Sequence, residues 1–92
     1  KKWYFFKNIK DILQDFAYLD PIKNDYIFAA SLKNNLRTKG IAAGSIDCLI
    51  ASLCINNNLL LATYDNDFYH IAKHSELQVL NFDEYKQMKL KT

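Results

Sequence analysis

"GSIDCLIASLCINNNLLLATYDNDF", residues 44–68, is the stretch whose reading decides the fold. Ile46, Leu49, Ile50 and Leu53 recur at spacings of three and four, the stripe of a helix buried on one side, and Ser45 stands where its N-terminal cap belongs. The triple asparagine at 56–58 ends this helix at about Asn57. "LLLAT", 59–63, is a short continuous apolar run, the pattern of a strand covered on both faces, as parallel strands are. A helix that feeds an antiparallel strand through a short turn brings its own amino end beside the strand's carboxyl end. Asp47 lies in the first turn of that helix, and Asp65 and Asp67 directly follow the strand. The three carboxylates are therefore expected to converge on the edge of the sheet where open parallel sheets bind ligands.

The flanks extend the alternation. Downstream, "NDFYHIAKH" reads as a short helix, "LQVL" as a strand and "DEYKQMK" as a terminal helix or tail. Upstream, "YIFAASLKNNLRTK" reads as a helix with Asn24 or Asp25 as its cap and Ala29, Leu32 and Leu36 on one side. Arg37 and Lys39 fall in its last turn, where cations suit the helix dipole, and Gly40 is placed to end it. Phe16–Leu19 reads as a short strand or extended connector before Pro21, and Trp3, Phe6, Ile9, Ile12 and Leu13 as the stripe of a first helix over 3–15. Helix and strand in alternation indicate an α/β fold with a parallel sheet.

Ninety-two residues, half of them hydrophobic and 14% aromatic, suffice for one folded domain and no second core. A net charge of +2 does not by itself announce a nucleic-acid binder, and the terminal lysines read as solvated surface. Cys48 and Cys54, six residues apart in one helix, stand roughly 9 Å apart, too far for a disulfide, and are expected to be buried reduced thiols. His70 and His74 have no partners at zinc-site spacing. No apolar run approaches the roughly 20 residues of a membrane span, and no amino-terminal leader pattern is present, so the expected location is the cytoplasm.

Each aspartate taken alone has a structural explanation: Asp47 and Asp67 as acids in first helical turns, Asp65 as a cap. Three such explanations on one edge of one sheet are less economical than a shared purpose. Three carboxylates without an interleaved cation repel one another, and a hard divalent ion with oxygen ligands, Mg2+ or Mn2+, is the natural counter-charge. Such an ion can activate a water and neutralise charge on a phosphodiester. Thr63 and Ser45 are candidate supporting residues. Arg37 and Lys39, with Lys33, could line an RNA path, although a solvated helix face is the stronger reading of them.

"G-S-I-D-x-L-I-A" at 44–51, "L-A-T-x-D-x-D-F" at 61–68, "IAKH-x-x-L" after it and "LRTKG" at 36–40 together resemble the PIN domain family, and within it most closely the VapC toxins of bacterial toxin-antitoxin pairs. The resemblance is strongest over 36–80. It implies a three-layer α/β domain with a metal-dependent RNA-cleaving site built from four acids. Asp47 takes the place of the third acid, Asp65 of the fourth, and Asp67 of an additional aspartate that assists at the metal. It further implies a homodimer, an RNA substrate and a cognate antitoxin protein that blocks the acid cluster.

The chain departs from that pattern at its amino end. The family's first acid follows an apolar opening strand and its second sits in an early helix; the first acid here, Asp11, matches neither motif. The resemblance thus reads residues 1–92 as a partial PIN-like domain with the amino-terminal part missing and the central strand of the sheet with it, which would leave unpaired strand edges and an exposed apolar face. The functional expectation is a metal-dependent endoribonuclease of the toxin class. The alternative is a non-catalytic PIN-like fragment that acts as an interaction or dimerisation module.

Overall fold

The computed structural model describes residues 20–81, 83, 84, 86 and 87, together with the strand at 2–5. Its elements are β1 (Lys2–Phe5), α1 (Lys23–Thr38), α2 (Ser45–Asn56), β2 (Leu59–Thr63), α3 (Asn66–Lys73) and β3 (Val79–Asn81). The strands form one parallel sheet in the order β1-β2-β3, with Tyr4 opposite Leu61 and Leu61 opposite Val79. This is the expected α/β architecture with a parallel sheet, and β2 is its middle strand with neither edge open.

The amino end corrects the sequence reading. Lys2–Phe5 is a strand, where the spacing of Trp3 and Phe6 suggested a helix from residue 3. The physical reason is local: "KWYF" is rich in aromatic residues that favour strands, and β2 offers it a ladder of backbone partners. The rest of that helix and the connector at Phe16–Leu19 lie outside the described residues.

α1 begins earlier than its expected caps. Ile22 occupies the cap position, and Asp25, three residues in, reaches back so that its Oδ2 accepts the Ile22 N–H at 2.9 Å. Its Oδ1 accepts from Asn56 Nδ2 at 2.8 Å, which ties the start of α1 to the end of α2 and satisfies a carboxylate that is 4% exposed. The other end closes as expected at Gly40, whose φ is +79°. Gly40 N–H donates to Arg37 O at 3.0 Å and Ile41 N–H to Leu36 O at 2.9 Å, the paired bonds of a Schellman motif, with Ile41 packed against the core.

α2 is capped at Gly44, not at Ser45, which is already its first helical residue and makes no capping bond. The three asparagines that end α2 each have a separate task. Asn56 binds Asp25, Asn57 Nδ2 donates to Leu53 O at 2.8 Å, and Asn58 takes the left-handed conformation at φ 56° that turns the chain into β2.

α2 packs against α1, β2 and α3, and so carries most of the core. Leu36, Ile50, Leu53, Leu61, Phe68 and Ile71 are almost fully buried, each contributing about 1.5–3 kcal/mol on transfer from water. Leu61, Ala62 and Thr63 are buried as well, as a strand covered on both faces requires. Cys48 and Cys54 are both buried free thiols, and burial pushes the Cys54 thiol up to about 12. Among the described residues no helix is long and apolar enough to cross a membrane.

Candidate metal centre

The site is built where two helices start beside the end of β2. Asp47 is the third residue of α2; Asp65 caps α3 and Asp67 is its second residue. One carboxylate oxygen from each of the three lies within 4.8 Å of the others, the convergence expected from the sequence. Among the described residues no other three metal-binding side chains come together in this way, and His70 and His74 are exposed on or next to α3, outside the cluster.

The turn that carries Asp65 is held from below. Thr63, fully buried at the end of β2, accepts the Asp65 N–H on its Oγ1 at 3.0 Å. Asp65 Oδ1 in turn accepts the Asp67 N–H at 2.9 Å, the N-cap bond of α3. The capping explanation of Asp65 is therefore correct, and it coexists with the cluster. Between them, Tyr64 is partly exposed and its hydroxyl donates to Asp83 Oδ1 at 2.9 Å, which ties this turn to the helical residues after β3.

Electrostatics single out Asp47. It is half-buried, whereas Asp65 and Asp67 are exposed. Burial pushes its carboxyl above the ordinary range, and the charges of Asp65 and Asp67 push it in the same direction. The amino ends of α2 and α3 offset part of that repulsion, since helix N-termini favour negative charge. A cation between the three would remove the rest.

The remaining candidates fall elsewhere. The Ser45 hydroxyl accepts from Lys33 Nζ at 2.7 Å. Arg37 lines a groove with Lys33 and the loop from Gly40 to Ala43, whereas Lys39, the C-cap of α1, is exposed and does not line it. The Lys33–Ser45 link went unread in the sequence.

Comparison with protein families finds that residues 5–74 match the family described as PIN domain, a span that includes all three acids and extends upstream of the sequence motifs. No curated protein matches the chain.

Proposed function

The chain belongs to the PIN domain family, whose members are in general metal-dependent nucleases, and from that premise we propose that it is an endoribonuclease with Asp47, Asp65 and Asp67 as its metal-binding and catalytic residues. The observation that carries this reading is the cluster of three carboxylate oxygens within 4.8 Å, at the carboxyl edge of a parallel sheet. The donor set fits the implied ion: three hard oxygens, with a half-buried carboxyl raised first by its burial and then by its two acidic neighbours, suit Mg2+ or Mn2+ better than a softer metal. A divalent cation bound there supplies charge neutralisation on a phosphodiester and activation of an attacking water.

The chain's own residues do the positioning. Thr63 fixes the backbone at Asp65, and the capping bond orients the Asp65 carboxylate, which would help to hold the ion. Asp67, exposed, is suited to accept a proton from the attacking water. Arg37 and Lys39 are proposed as contacts to RNA phosphates. We place the protein with the toxin class of the family: a cytoplasmic homodimer whose cognate antitoxin covers the acid cluster. The support for that finer assignment is the motif resemblance over 36–80.

A separate observation favours a second reading, an interaction module. Ile22, Ile27 and Phe28 are 60%, 57% and 38% exposed at and near the start of α1, an apolar surface that an acid site does not need. RNA cleavage by the purified chain separates the two. The nuclease reading expects cleavage with Mg2+ or Mn2+, none with EDTA, and its loss in Asp47→Asn and Asp65→Asn variants that still melt cooperatively. Unchanged cleavage in both variants would sink it, and metal-independent dimerisation without cleavage would favour the module.

A further inference from the structure

The carboxyl ends of β2 and β3 are built alike. Thr63 and Asn81, the last residues of the two strands, face each other in register. Thr63 Oγ1 accepts the Asp65 N–H at 3.0 Å and Asn81 Oδ1 accepts the Asp83 N–H at 2.7 Å, so in both turns the strand's last side chain holds an aspartate two residues on. Helix follows in both cases: Asp65 caps α3, and residues 83 and 84 are helical. Neighbouring strands lie about 4.8 Å apart, so the two turns run side by side along the edge that carries the acids. Asp83 is nevertheless not one of the three converging carboxylates.

Its carboxylate faces Tyr64 instead, the residue between Thr63 and Asp65. The Tyr64 hydroxyl donates to Asp83 Oδ1 at 2.9 Å, and Tyr69 on α3 is hydrogen-bonded to the side chain of Asn81. The end of β3 thus holds the acid-bearing segment at two points, one on each side of Asp65 and Asp67. Those two aspartates are exposed, so hydrogen bonds rather than burial set where they stand. Like charges brought together push apart, and a turn tied at its middle residue resists that push.

We propose that Asp83 is a positioning residue for the acid cluster: through the Tyr64 hydroxyl it holds the turn on which Asp65 and Asp67 stand, so that the end of β3 belongs to the frame of the site. This rests on the reading of the cluster as a metal centre. What Asp83 supplies is an acceptor oxygen and not its charge, and the side chain of asparagine carries the same oxygen.

The test follows Mn2+ binding to the full chain through the paramagnetic resonance signal of the free ion. It compares the native chain with Asp83→Ala, Asp83→Asn, Tyr64→Phe and the Tyr64→Phe, Asp83→Ala double variant. Losing the bond is expected to weaken binding about two- to tenfold, the worth of one hydrogen bond. The loss is expected to be equal in Asp83→Ala and Tyr64→Phe and no larger in the double variant, since both remove the same contact. Asp83→Asn is expected to bind like the native chain. Amide hydrogen exchange in EDTA gives a readout without metal: Asp83→Ala and Tyr64→Phe are expected to speed exchange at Asp65 and Asp67 and to leave the amides of α2 unchanged. Unchanged Mn2+ binding in both single variants would overturn the proposal, as would additive losses or an Asp83→Asn variant as weak as Asp83→Ala. If the native chain binds no Mn2+, the metal reading falls and amide exchange decides the positioning role alone. Faster exchange confined to Asp65 and Asp67 then supports it, and unchanged exchange overturns it.

Discussion

Asp65 does two things with one carboxylate: its Oδ1 caps α3 through the Asp67 N–H, and its group forms part of the acid cluster. Asp47 has no such second task, so its half-buried charge is a net cost to the metal-free protein. Because its folded-state pKa is raised, the folded chain holds more protons than the unfolded one between the ordinary aspartate value and the raised one. Stability in EDTA is therefore expected to fall as pH rises through that window. Asp47→Asn is expected to remove this dependence and to melt higher than the parent at neutral pH in EDTA, which thermal melts across pH will check. Activity moves the opposite way. Loss of an outer partner of a metal site costs roughly 10–100-fold, so loss of the ligand itself is expected to exceed about 100-fold in kcat/KM. Cys48 and Cys54 make a further residue-scale test: both thiols are buried and Cys54 is pushed up to about 12, so iodoacetamide is expected to label neither in the native chain and both in urea.

At the scale of elements, the termini of the helices carry the fold's specificity. Gly40→Ala meets no atom within 4 Å, so its cost is conformational alone, about 1–2 kcal/mol for a residue with a Cβ in the left-handed region. Equilibrium urea unfolding is expected to show that loss with an unchanged m-value. Asp25→Ala leaves the Ile22 N–H and Asn56 amide without their acceptor and is expected to cost about 2 kcal/mol. α2, β2 and α3 were legible in the sequence because each keeps one hydrophobic period and ends in a residue that breaks it. The acids were legible for the same reason, since each sits within two residues of an element boundary. The caps were less so. Ser45 has the chemistry of a cap and Gly44 has none, and only the extended backbone of Gly44 followed by a helical Ser45 separates them. β1 was misread because apolar spacing at Trp3 and Phe6 is silent about the strand β2 that recruits the segment. A contact between Lys33 and Ser45, or Asp25 and Asn56, joins residues 12 and 31 apart and has no local signature at all.

For the whole molecule, the decisive feature is that β2 occupies the centre of a parallel sheet, with α2 entering it and α3 leaving it. That arrangement places the starts of both helices on one edge and makes their first-turn acids a single site. The central claim is that the site holds a divalent cation, and the melting temperature of the chain in EDTA and in saturating Mn2+ tests it most directly. An ion at 100 times its Kd adds about 2.7 kcal/mol to the folded state. In a domain of this size that corresponds to a rise on the order of 10 °C. The account expects that rise in the native chain and its loss in an Asp47→Asn, Asp65→Asn double variant. An unchanged melting temperature in the native chain, or an equal rise in the double variant, would contradict it.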